Sequence, residues 1–199
     1  MLLRSTRSAR DAPAIALVQL NVLLATAIDL QAQLRQARWN VREPGVVRLN
    51  AVFERAAIDV GHHADRIAER ISGTGGRAAG TIRTVAKRSV LSPYPAETRD
   101  IAQNVAATSA ALVVYAASLR DATDASRGRG DFVTAEMLGT SLANVERDLG
   151  WIAQAYQLAC GDAPARPLSA TDAAETSVRS RIEDWVNGEI TTSAYLGQR

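Results

Sequence analysis

Apolar residues recur every three or four positions along most of this 199-residue chain, the period of an α-helix and not the alternation of a strand. Over residues 12–41, Leu20, Leu23, Leu24, Ala27, Leu30 and Leu34 fall on one side, with Gln19, Thr26, Asp29, Gln33 and Gln36 on the other. Glu43-Pro44-Gly45 ends that first helix, because proline cannot continue one and glycine permits a sharp turn. A second helix is predicted over 46–72, with Leu49, Phe53, Ala56, Val60, Ile67 and Ile71 as its apolar face. Gly73, Gly75 and Gly76 stop it. Residues 77–95 form a long connection holding a short helix over 81–88 and closed by Ser92-Pro93-Tyr94-Pro95. A third helix follows over 96–126, Gly128-Arg129-Gly130 reverses the chain, and a fourth helix covers 131–159.

At ~1.5 Å rise per residue, helices of roughly thirty residues are ~45 Å long. The first and third connections are short and force antiparallel neighbours. The middle one is long enough to run back along the bundle. An all-α four-helix bundle with one long crossover satisfies that arithmetic, and a plain up-down bundle would not need the extra chain. The pattern changes after Gly161. Asp162-Ala163-Pro164-Ala165-Arg166-Pro167 reads as a linker, and residues 171–188 as a fifth amphipathic helix through Val178, Ile182, Trp185 and Val186. Thr171 or Asp172 is placed to cap it, with Glu175 in its first turn. The expected organisation is therefore a basic arm over 1–11, the bundle over 12–160 and an extension over 161–199.

Composition adds little to that picture but excludes much. With 47% apolar and 22% charged residues the chain can fill a core, and a single cysteine, Cys160, rules out an internal disulfide framework. The formal charge of +2 is too small to mark a nucleic-acid binder by itself. Residues 1–27 imitate a signal peptide, with arginines, an apolar run and small residues at Ala25 and Ala27. Gln19 and Asn21 interrupt that run, however, and the helical pattern continues to Trp39, so the expectation is an amphipathic helix behind a basic arm. No segment supplies ~20 uninterrupted apolar residues, and a soluble, cytoplasmic protein is expected.

The chemistry-bearing residues gather on the second helix. Glu54, Ile58, His62, Asp65 and Glu69 form one stripe on the side away from its main apolar face, with Asn50 flanking it. Carboxylates and an imidazole at this spacing can share a metal ion. The same residues equally make a solvated face on which Asp65 and Glu69 pair with Arg66 and Arg70. His63 points elsewhere, and Asp59, one turn earlier, is placed to hold it. Arg38 continues the apolar line of Leu20, Ala27 and Leu34, so it needs an acidic partner from a bundle or subunit interface.

Three blocks, Gln36-Ala37-Arg38-Trp39-Asn40-Val41, Leu49-Asn50-Ala51-Val52-Phe53-Glu54 and His63-Ala64-Asp65-Arg66-Ile67-Ala68-Glu69-Arg70-Ile71, resemble motifs of the Dps family. These are ferritin-like proteins that protect DNA in starved bacteria. Gly75-Gly76, Gly80-Thr81-Ile82-Arg83, Tyr94-Pro95, Thr134-Ala135-Glu136-Met137-Leu138 and Asp148-Leu149-Gly150-Trp151 extend the resemblance across about residues 17–158. It implies a ferritin-like bundle, assembly into a hollow dodecamer, and an iron-oxidising site shared between two subunits. The two histidines of that site fall on Arg38 and Asn50 here. Its acids fall on Glu54, Asp65 and Glu69. Arginine cannot ligate iron and asparagine is a weak ligand, so the resemblance implies a degenerate site.

Two readings of the site stay open. In one, Arg38 puts its own positive charge where iron would sit and pairs with Asp65 and Glu69 of the neighbouring subunit. In the other, His62 with Asp65 and Glu69 makes a relocated iron site and the chain is an active ferroxidase. The resemblance further implies DNA binding, through Arg4, Arg7 and Arg10 of the arm, and pore acids at Asp131 and Glu136, beside Arg127 and Arg129. A third class of function, a shell that recruits a partner through its C-terminal extension without binding DNA, also remains.

Overall fold

The computed structural model describes residues 5–42, 46–95 and 97–160, with side chains from Pro13 onward. All its elements are helices: α1 (Ser5–Asn40), α2 (Val47–Gly73), α3 (Ile82–Arg88), α4 (Ile101–Gly128) and α5 (Phe132–Cys160). The linker and fifth helix expected beyond residue 160 lie outside the described residues, as does Arg4. The helical backbone reaches back to Ser5 and passes through Pro13, so the positions of Arg7 and Arg10 belong to α1 and not to an arm preceding it. α4 starts at Ile101, later than predicted, because Asp100 caps it by accepting the Ala102 N–H at 3.0 Å.

The four long helices form a ring in which α1 packs on α2 and α4, and α5 packs on the same two. Leu30, Leu34, Leu49, Phe53, Ile67, Leu112, Tyr115, Leu138 and Ile152 fill the centre with no measurable exposure. The apolar face predicted for the second helix is buried throughout. α2 and α5 are antiparallel: Arg70 meets Asp131, His63 meets Asn144, Asp59 meets Arg147, and Arg55 lies over Trp151. α5 is also antiparallel to α4, through the turn that Gly130 makes with φ +76°. α2 and α4 therefore point the same way, and the chain between them has to return the length of the bundle.

α1 guides that return. Asn21 accepts the Ala79 N–H at 2.9 Å and donates to the Arg77 carbonyl at 3.3 Å. Thr26 Oγ1 receives the Val90 N–H at 3.5 Å, and Gln33 donates to the Ser92 carbonyl at 3.1 Å. Thr26 and Gln33, expected on a solvated side, are buried under the crossover. The polar residues that interrupt the apolar pattern of α1 are thus where the crossover backbone finds its hydrogen bonds. The α1 segment Pro13–Asn40 and α4 are long and apolar enough to cross a membrane, but 50% and 61% of their most apolar windows are buried within the bundle.

Removing one such anchor leaves backbone groups of the crossover unpaired. Asn21→Ala is expected to cost about 1–3 kcal/mol, measured as a lower midpoint of chemical unfolding, with helix content at zero denaturant unchanged.

Candidate subunit-contact and metal site

The stripe predicted on α2 exists as a face. His62, Asp65 and Glu69 are exposed, Ile58 is 43% exposed, and Glu54 and Asn50 are partly covered by the end of α1. Arg38 is not buried in an apolar face, which corrects the reading of the helical wheel. The buried arc at the end of α1 is Leu34, Ala37 and Val41, and Arg38 stands at its edge, exposed to solvent. Its Nε sits directly against the Glu54 carboxylate of the same chain. The partner that Arg38 needs is supplied one helix away, without a second subunit.

Around this pair the remaining groups are arranged as follows. Asn50 donates to the Val41 carbonyl at 3.2 Å, which closes the α1–α2 turn, and its Oδ1 has no partner among the described residues. Asp65 stands at a groove of about 340 Å³ floored by Leu24, Ile28, Ala64 and Ala68. The groove runs beside a close approach of α1 and α2. Gln31 crosses the position a Gly61 Cβ would take, at 2.2 Å, to donate to the Ala57 carbonyl at 3.0 Å. Among the described residues no three histidine, cysteine, aspartate or glutamate side chains converge within one chain.

The expected pore acids differ in kind. Asp131 is the cap of α5, accepting the Thr134 N–H at 3.1 Å and hydroxyl at 2.5 Å and the Arg70 guanidinium at 2.8 Å. Burial opposes its ionisation, but the Thr134 and Arg70 contacts outweigh that and hold its carboxyl below the ordinary range. Its charge is thus already answered by Arg70 on α2. Glu136 is exposed, and the neighbouring Phe132 and Val133 are exposed apolar residues, 70% and 66%. Arg127 reaches Asp124 at 3.4 Å and Arg129 reaches the Ser126 hydroxyl at 3.2 Å.

One polar layer escaped the sequence reading. His63 faces the bundle interior, with its ring 6.3 Å from that of Tyr115 and Nε2 3.5 Å from the Asn144 amide nitrogen. Asp59 does not hold His63, as had been expected. It accepts Arg55 at 3.2 Å and Arg147 at 3.1 Å, and both arginines lie over the Trp151 ring. Burial pushes the His63 pKa down to about 4, against the pull of Asp59. Asp148, fully buried one turn from Asn144, has neither oxygen hydrogen-bonded among the described residues, and burial and Asp59 raise it to about 6. Adjacent histidines on a helix differ by ~100° in direction, and which of them faces inward depends on where α4 and α5 lie.

With this geometry in hand, the relatives can be placed. A model of the ferritin-like domain family matches residues 17–158. The DNA protection during starvation protein of Agrobacterium fabrum is 29% identical over 137 residues, 69% of this chain and 84% of its own. An archaeal Dps homologue from Halobacterium salinarum has a TM-score of 0.69 at 26% identity, covering 72% of this chain and 80% of its own. A Dps protein from Bacillus brevis has a TM-score of 0.68 at 24% identity, covering 73% and 97%. The chain belongs to the ferritin-like domain family. Within that class the relatives named here are Dps proteins, and the chain is similar to them in sequence and in fold.

The buried layer gives an opposed pair of pH dependences. His63 titrates lower in the fold than in the unfolded chain, so its contribution is present above pH ~6.5 and lost as pH falls through about 4. Asp148 titrates higher in the fold, so its contribution is present below pH ~4 and lost as pH rises through about 6. In unfolding midpoints from pH 4 to 6.5, Asp148→Asn should make stability rise with pH more steeply than in the parent chain. His63→Gln should tilt the profile the other way.

Proposed function

We propose that this chain is the subunit of a Dps-type shell that protects and compacts DNA, with an ion pair in place of the iron site between its subunits. The observation that carries the reading is Arg38 lying against Glu54. Guanidinium is protonated at any working pH and has no lone pair to give a metal. It also neutralises Glu54, the one acid at that position on its own chain. Asn50, already donating to Val41, offers only a neutral amide oxygen. Asp65 and Glu69 then remain as the acids that a second subunit brings to the exposed Arg38. Iron would be a weakly held cargo in such a shell, not a substrate oxidised at a paired centre. Asp131, tied to Arg70, adds little to the attraction of Fe²⁺ towards a pore.

Support for a DNA-protecting role comes from the Agrobacterium relative, whose name records protection of DNA during starvation. Arg4, Arg7 and Arg10, with no acid among the first ten residues, give each subunit cations for the phosphate backbone. In a closed shell, expected to be a dodecamer, linked weak contacts act together. Such a particle would work in the cytoplasm, on the nucleoid. A ferroxidase reading has one observation in its favour: His62, Asp65 and Glu69 share an exposed face, where an iron ion between two subunits would find an imidazole and two carboxylates.

Aerobic Fe²⁺ oxidation by the purified, size-checked assembly separates the two. The rate is expected to equal the protein-free blank with oxygen or with hydrogen peroxide. A protein-dependent rate abolished by His62→Ala would establish the relocated site instead. Arg38→His is expected to weaken assembly on dilution and to raise the number of Fe²⁺ ions bound per subunit.

A further inference from the structure

No charged residue stands on α4 from Ile101 through Leu119. Its inward positions fill the core. On its outward side Ala102, Gln103, Ala106 and Ala110 are exposed, and Val113 and Val114 are half-buried. The outward faces of the neighbouring long helices are different: α2 shows His62, Asp65 and Glu69, and α5 shows Glu136, Glu146 and Arg147. A helix without charge on any side has the composition of one that is covered all round.

Beside this face lies a groove of about 120 Å³ between α4 and the end of the crossover, lined by Pro93, Tyr94, Pro95, Ala107, Ala110 and Val114. Its walls are fixed. Gln33 donates to the Ser92 carbonyl at 3.1 Å, and Tyr94 donates its hydroxyl to the Asn104 side chain. The small residues of α4 leave the space, which approaches the ~150 Å³ that admits a benzene-sized ring.

The chain's own extension starts next to this face. α5 is antiparallel to α4, and the Tyr156 pKa is raised by burial, by Cys160 and by the charge of Asp100, the cap of α4. The extension therefore leaves α5 at the end of the bundle where α4 begins. Its linker, residues 161–170, spans at most ~33–36 Å, and Ala107 lies only ~10 Å along α4 from its cap. Phe132 and Val133, exposed at the start of α5, are a helix length of ~42 Å away and beyond that reach. The helix expected over 171–188 puts Val178, Ile182, Trp185 and Val186 on one side and Glu183 and Asp184 on the other. The apolar set covers ~12 Å of its axis, against ~18 Å for Ala102 to Val114 on α4.

We propose that residues 171–188 pack as an amphipathic helix on the outward face of α4 of the same chain, with the Trp185 ring seated in the groove between Ala110 and Tyr94. A short linker keeps the segment at high effective concentration beside the face, so a modest apolar contact suffices. The extension is then a fifth element of the bundle and not a free recruiting arm. This inference is independent of the DNA-protecting and iron readings.

The test uses the full chain in its assembled form. In Trp39→Phe/Trp151→Phe, Trp185 is the only tryptophan left. Its emission is expected to be blue-shifted, and its quenching by acrylamide severalfold weaker than that of a free tryptophan amide. Adding Ala110→Glu, at an exposed position, is expected to move the emission to the red and restore full quenching, while Ala110→Ser changes neither. Assembly size and helix content are checked for each. A solvated Trp185 before Ala110→Glu is added overturns the proposal. So does a shielded Trp185 that does not respond to Ala110→Glu, since the segment then packs elsewhere. Which chain is met is read from Ala110→Cys/Val186→Cys in a Cys160→Ser background under mild oxidation. A disulfide within one chain is expected; one that joins two chains, or none, overturns docking on the same chain.

Discussion

Two helices pointing the same way set the terms for this fold. Because α2 and α4 are both antiparallel to α5, the chain joining them must travel the length of the bundle, and its backbone must find hydrogen bonds on the way. α1 provides them from Asn21, Thr26 and Gln33. Burying three polar side chains is acceptable because each is matched to a backbone group that would otherwise be unpaired. That match fixes which side of α1 is covered. It leaves the α1–α2 face, with its charged stripe, open to solvent, and it orients α3 with Val85 inward and two cations outward.

The Arg38–Glu54 pair is better understood by where it sits than by how much it stabilises. Both side chains are about 40% exposed, and half-exposed ion pairs contribute little, typically less than about 1 kcal/mol. Its consequence is chemical. On the proposed reading, a permanent cation held against the acid of a would-be metal site opposes a second cation by repulsion and occupies a ligand at the same time. In a shell whose subunits meet here, the same guanidinium turns a metal-bridged contact into a salt-bridged one. Such a contact responds to ionic strength where a metal-bridged one responds to chelators.

The interior carries a different electrostatic arrangement. His63 kept neutral and Asp148 held without hydrogen bonds each cost stability in one ionisation state, but in opposite directions along the pH axis. Asp59, Arg55, Arg147 and Trp151 form the outer edge of the same layer, with both guanidiniums within cation–π distance of the ring. The α2–α5 seam thus runs from a solvated ion-pair cluster to a buried imidazole within about one helical turn.

Helical period, helix-breaking residues and the length of one connection were enough to determine an all-α bundle with a crossover. Each is a local property that tertiary packing seldom overrides in long, strongly periodic segments. The motif blocks likewise singled out Arg38, Asn50, Glu54, Asp65 and Glu69, and that no histidine stands at positions 38 and 50 needed no coordinates. Pairing was another matter. Arg38 finds Glu54, Asp131 finds Arg70, and Asp59 finds Arg147 instead of His63 because of how two helices lie side by side. A wheel drawn for one helix gives the direction of a side chain but not what stands opposite it. Thr26 and Gln33 were polar in sequence and buried in the fold for the same reason. Which polar residues face water was decided by the path of the crossover, a long-range contact that no local pattern encodes.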